Sequence, residues 1–211
     1  MSHEELEKPV GPQVFLIDDD EPVLTAVALL MKSAGLECRT YCSARAFLDE
    51  FDPDLPGCVV TDMRMPGLSG LDLQEKLSKM ESAPPVILIT GHGDVPAAVR
   101  AMKQGAHDFI EKPFSDQVLL DAVMKAIDQD LSRRQDQSVV REYQDRFSGL
   151  TEREREVMTG VVAGKPNKII ADDLDLSIKT VEFHRSNVMT KLQVESVAEL
   201  VQMVLAARYH S

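Results

Sequence analysis

The amino-acid sequence predicts an open, doubly wound (βα)5 domain of the α/β class followed by a small all-α domain. Two observations carry this. Over the first 130 residues, short β-branched apolar runs alternate with helical periods, the pattern of a parallel sheet covered on both faces. Beyond that stretch only helical periods remain, and a length of 211 residues accommodates two modest cores.

The strands are expected at Val14 to Ile17, Glu37 to Tyr41, Cys58 to Thr61, Val86 to Thr90 and Asp108 to Ile110. The first, third and fourth are continuously apolar, which places them at the middle of the sheet. Pro22 suits the start of the first helix, Val23, Ala26, Val27, Leu30, Met31 and Ala34 recur on one face, and Gly35 supplies the stop. The punctuation repeats with Ser43 before the second helix, Asp94 and Pro96 opening the fourth, Gly105 closing it, and Ser115 before the fifth.

Residues 128–149 lose the apolar density of what precedes them and read as a helical extension and linker. Four helices follow: Thr151 to Ala163 with Thr151 and Glu154 spaced as a capping box, Asn167 to Leu174, Ser177 to Leu192, and Ser196 to Ala207. The division expected is a flexible tail over 1–12, the α/β domain over 13–128, a helical linker over 129–148 and the all-α domain over 149–211.

Composition narrows the function classes. No run approaches the roughly 18 apolar residues of a membrane span, and the acidic opening is unlike a secretory signal, so a cytoplasmic location with no membrane partner is expected. Cys38, Cys42 and Cys58 are odd in number and lack metal-ligand spacing, which reads as reduced packing thiols. The net charge of -12 argues against nucleic acid at first sight. The excess is local, however: residues 1–130 hold 11 basic and 23 acidic side chains, whereas residues 151–211 hold 8 and 9.

Ligands of a doubly wound sheet bind outside the carboxyl ends of its strands. Here the first strand ends in Asp18-Asp19-Asp20, the third in Asp62, the fourth in Thr90 and the fifth in Lys112. Carboxylates converging at one edge repel unless a cation sits among them, and hard oxygen donors of this kind suit Mg²⁺. A hydroxyl and an ammonium complete a phosphoryl site, with a carboxylate as the nucleophile that forms an acyl phosphate. Arg64 and His92 flank the site and read as a solvated side chain and a loop residue. A lone Asp at such an edge would read as a helix cap; four strand ends together read as a site.

The segments VFLIDDDEPV, VVTDMRMPGLSGLDL, VILITGHGD and GAHDFIEKPF resemble the successive signatures of response-regulator receivers, which are flavodoxin-like. The resemblance implies Asp62 as phosphoacceptor and Asp18, Asp19, Asp62 and the backbone carbonyl of Arg64 as Mg²⁺ ligands. It further implies Thr90 and Lys112 as phosphate-sensing residues, Thr90 and Phe109 as the switch pair, and a cis Lys112-Pro113 bond. Asp20 reads as a neighbour of the metal site that adds charge to it.

In the second domain, two short amphipathic helices joined by a tight turn form a helix-turn-helix pattern, with Ile169, Ile170 and Leu174 on one and Val181, Val188 and Leu192 on the other. The second helix of such a motif enters the major groove. Lys179, Thr180, Glu182, His184, Arg185 and Asn187 are the available readers, while Lys165, Lys168 and Lys191 are placed to hold phosphates. A helical bundle for protein contacts is the competing reading, favoured by Asp172, Asp173 and Asp175. LTERE, AGKPNKIIA and LSIKTVEFHRSNVMTKL resemble the LuxR/NarL-type effector domain, and the whole chain resembles FixJ-like regulators.

These resemblances imply a two-component response regulator and transcription factor that is not an enzyme beyond its own phosphorylation and dephosphorylation. The implied partners are a sensor histidine kinase, promoter DNA with a two-fold site, a second copy of the chain when phosphorylated, and RNA polymerase if it activates. The dimer face would be residues 95–104 with the fifth strand, although relief of an inhibitory packing between domains is equally compatible. A carboxylate-nucleophile phosphatase and a phosphorylation-independent adaptor are the alternatives; the first lacks a cap domain and a second acid-base residue.

Overall fold

A computed structural model describes residues 11–80, 82–91 and 95–209. The expectations placed on His92 and Asp94, and on residues 1–10 of the tail, lie outside the described residues. The elements run β1 (Gln13–Ile17), α1 (Glu21–Ser33), β2 (Glu37–Tyr41), α2 (Ala44–Glu50), β3 (Gly57–Asp62), α3 (Gly70–Leu77), β4 (Val86–Thr90), α4 (Val95–Lys103), β5 (Asp108–Glu111) and α5 (Asp116–Ser148). Four further helices follow: α6 (Glu152–Val162), α7 (Asn167–Leu174), α8 (Ile178–Leu192) and α9 (Val197–Tyr209).

The sheet is parallel with strand order β2-β1-β3-β4-β5, so the three continuously apolar strands do occupy its middle. Alternation along each strand splits the core in two. Val14 and Leu16 face one layer with Val60, Ile87, Ile89, Leu119 and Val123. Phe15 and Ile17 face the other with Phe47, Val59, Leu73, Leu77 and Leu88. Helices on both faces bury these rows, which holds the carboxyl ends of β1, β3, β4 and β5 at one edge.

The helix signals behave as their chemistry requires. Pro stands in the first turn of α1, and Gly35 ends it at φ 76°. Ser43 caps α2 by accepting from the Ala46 N–H, and Ser69 and Asp72 form a reciprocal capping box on α3. Thr151 and Glu154 form another on α6.

The chain divides into two compact units, Met1–Arg134 and Gln135–Ser211, and the division falls inside the stretch read as linker. That stretch is helical throughout as part of α5, which runs on to Ser148. Its early residues belong to the first unit by hydrogen bonding. Asp130, fully buried, accepts from the Gly57 N–H at 3.0 Å, Arg133 at 2.5 Å and Arg134 at 2.6 Å. The Arg134 guanidinium also donates to the carbonyls of Pro53, Asp54, Leu55 and Ser82. Its late residues belong to the second unit, where Tyr143 and Phe147 pack against a core of Leu150, Val157, Val161, Ile170, Val181, Val188, Leu192 and Leu200.

The cysteines are all free, but they differ: Cys58 is buried, Cys38 half-buried and Cys42 exposed, so Cys42 is not a packing thiol.

Candidate functional site

In the first unit, the ends of β1, β3 and β5 bring three of the expected side chains together. The Lys112 ammonium donates to Asp62 Oδ1 at 2.9 Å and to Asp18 Oδ2 at 3.2 Å. The second Asp62 oxygen accepts the Arg64 N–H at 2.7 Å, so both oxygens of this carboxylate are engaged and its orientation is set. Asp18 is buried, its Oδ1 accepts the Asp20 N–H at 2.9 Å, and Asp62 is half-buried. Burial alone would lower the Lys112 pKa; the hydrogen bond and charge of Asp62, followed by those of Asp18, outweigh it and hold the ammonium above its ordinary value.

Local structure explains the placement. Gly70 lies so near the end of β3 that a Cβ there would stand 2.2 Å from the Asp62 backbone carbonyl oxygen; only glycine lets α3 start against the end of β3. The Lys112 N–H donates to the Thr90 carbonyl at 2.7 Å, tying the ends of β4 and β5, and Lys112-Pro113 is cis. Thr90 is buried at the end of β4. Phe109 is half-buried on β5 opposite Leu88, against the layer that also holds Phe15 and Phe47. Asp19, Asp20 and Arg64 are exposed.

Among the described residues, no group of three or more His, Cys, Asp and Glu side chains is gathered as a metal site. The donor set present at this edge is two carboxylates, Asp18 and Asp62, each within hydrogen-bond distance of one ammonium. That is compatible with Mg²⁺, which keeps several waters and takes one or two carboxylates rather than a full protein cage.

In the second unit, α7 ends at Asp175 in the left-handed conformation, and Ser177 caps α8 by accepting from the Thr180 N–H. Val181, Val188 and Leu192 bury one stripe of α8 in the core. Of the expected readers, Lys179 and Glu182 are exposed; Thr180, His184, Arg185 and Asn187 are half-buried. The Thr180 and Ser177 hydroxyls share a hydrogen bond at 2.8 Å, and Arg185 donates to the Asn167 side chain at 3.0 Å. Lys168 is exposed, whereas Lys165 is paired with Asp173 at 2.6 Å.

Lys191 donates to Glu154 Oε2 at 2.7 Å and to the Gly149 carbonyl at 3.3 Å. The Lys191 hydrogen bond and then the Thr151 N–H hold Glu154 down to about 2. Lys191 therefore ties α8 to the start of α6. The residue that sequence reasoning missed on α8 is Phe183, 63% exposed; its position on the helix opposite Val181 was the available signal.

Residues 14–124 match the family described as "Response regulator receiver domain", and residues 148–204 match "Bacterial regulatory proteins, luxR family". The chain is 46% identical over 197 residues to the transcriptional regulatory protein FixJ of Rhizobium meliloti (strain 1021), covering 93% of this chain and 96% of that protein. It is similar to the solved structure of the response regulator StyR, with TM-score 0.85 and 43% identity, covering 93% of this chain and 99% of that one. Full-length FixJ from B. japonicum is similar at 42% identity and TM-score 0.57, covering 96% and 99%.

Proposed function

Because the chain belongs to the response regulators that carry a luxR-family DNA-binding domain, we propose that Asp62 accepts a phosphoryl group from a sensor histidine kinase and thereby controls promoter binding through α8. The protein is a two-component transcriptional regulator, not an enzyme. The observation that carries the residue assignment is the Lys112 ammonium held between Asp62 and Asp18 at the carboxyl edge of the sheet.

An Asp62 oxygen attacks the phosphorus of the kinase phosphohistidine; the O–P bond forms as the N–P bond breaks, and the imidazole leaves with the electron pair. Lys112 offsets charge on the transferred group, and the Thr90 hydroxyl donates to a phosphoryl oxygen. Asp18, Asp19, Asp62 and the Arg64 carbonyl would hold Mg²⁺, which when bound neutralises charge on the phosphoryl oxygens. Phe109, on the strand next to Thr90 and opposite Leu88, is the aromatic that follows Thr90 when the phosphoryl group draws it in. Val99 and Met102 on α4, each about half exposed (48% and 47%), supply apolar surface for a second phosphorylated copy.

Two copies bring two α8 helices to a two-fold DNA site, where the second contact is intramolecular and gains from effective concentration. Recruitment of RNA polymerase follows if the promoter is activated. A regulator of transcription works where the chromosome is, which supports a cytoplasmic location; among the described residues no helix is long and apolar enough to cross a membrane.

The test is incubation with Mg²⁺ and acetyl phosphate followed by intact-mass analysis. Wild type gains one phosphoryl group that is labile to hydroxylamine, and Asp62→Asn gains none; equal labelling of both would refute Asp62 as the acceptor.

A further inference from the structure

The outward face of α8 is made by Lys179, Glu182, Phe183, Ser186 and Thr190, all exposed. Phe183 stands two residues beyond the buried Val181, about 200° around the helix, so folding cannot bury it. Its ring meets the His184 ring in an edge arrangement, with centroids 5.8 Å apart and planes at 61°. His184 is half-buried with its Nδ1 inside the domain, so the ring that Phe183 meets is turned inward. Ile178, also exposed on α8, stands about 140° around the helix from Phe183, so the ring is an isolated apolar group among polar neighbours rather than part of a patch for a protein partner.

In the major groove the thymine C5-methyl is the apolar group on the base edges. Resting on the DNA-binding reading above, we propose that Phe183 is a specificity-determining residue that packs on a thymine methyl in each half-site. The polar readers beside it on α8 are suited to the hydrogen-bonding groups of the bases rather than to a methyl. Thymine is thereby distinguished from cytosine, which carries no methyl at C5 and offers the ring nothing apolar to rest on.

The experiment uses the full chain with beryllofluoride and Mg²⁺ to select binders from a random duplex library, for wild type, Phe183→Ala and Phe183→Leu. Each thymine of the wild-type consensus is then replaced by deoxyuridine, which lacks only the methyl. Wild type is expected to lose about fourfold in affinity at one thymine per half-site, the worth of one buried methyl group. Phe183→Ala should bind both duplexes equally, and Phe183→Leu should keep a reduced preference, with far-UV circular dichroism unchanged in both. Indifference of wild type to every deoxyuridine, or unchanged sensitivity in Phe183→Ala, would overturn the inference alone. Failure of wild type to select any sequence would overturn the DNA-binding reading and this inference with it.

Discussion

Lys112 Nζ lies 2.9 Å from Asp62 Oδ1 and, through its second hydrogen bond at 3.2 Å, also neutralises the buried Asp18. One ammonium balancing two carboxylates means that it also repels any cation drawn to them. Lys112→Ala is expected to bind Mg²⁺ at least about fivefold more tightly by calorimetry, since even fully screened charges 4 Å apart interact by about 1 kcal/mol. The same variant should lose its response to beryllofluoride. Unchanged Mg²⁺ affinity would separate Lys112 from the metal site.

Glu154 has its pKa lowered to about 2 from an ordinary 4.5 by Lys191 and the Thr151 N–H. A depressed folded-state value contributes stability that is complete above the unfolded pKa and is lost as pH falls through the folded one. The second unit should therefore lose stability between about pH 4.5 and 2, and Glu154→Gln should remove that part of the loss. Chemical denaturation followed by circular dichroism across this range checks it; parallel curves for wild type and Glu154→Gln would contradict it.

Arg134 joins Asp130 to the carbonyls of Pro53, Asp54, Leu55 and Ser82. Its removal leaves a fully buried carboxylate with fewer donors, so Arg134→Ala should cost on the order of 3 kcal/mol. Asp62 labelling by acetyl phosphate should survive below the unfolding transition, because this cluster stands at the opposite end of β3 from Asp62. A loss under about 0.5 kcal/mol, the range of ordinary surface substitutions, would show the cluster to be ornamental to stability.

Burial, and then the charge of Asp130, pushes the Cys58 thiol up to about 12, while Cys42 is exposed. N-ethylmaleimide at about pH 8 should modify Cys42 first and leave Cys58 untouched in the folded protein, because the thiolate is the reactive form. Peptide mass analysis reads the order directly; early labelling of Cys58 would contradict the packing around β3.

The central strands of the sheet and its acidic edge were legible because apolar runs in β1, β3 and β4 end abruptly in Asp18, Asp62 and Thr90, and a parallel sheet puts such ends together. The helix over 129–148 was legible too, but not the bonding of its first residues into the first unit. Asp130, Arg133 and Arg134 are polar yet satisfied by one another and by loop carbonyls, so they leave no apolar period and read as linker. On α8, polarity selects the readers, whereas facing is decided by docking: His184 and Arg185 flank the buried stripe of Val181 and Val188, and the apolar Phe183 faces out. Lys191 reads as a free cation until α6 is folded beside it and Glu154 takes its charge.

The central claim is that a phosphoryl group on Asp62 changes the association of this chain. Solution mass by light scattering, with and without Mg²⁺ and beryllofluoride on wild type and Asp62→Asn, tests it most directly. A shift from monomer to dimer in wild type alone is the predicted result; no shift in either protein, or the same shift in both, would contradict it.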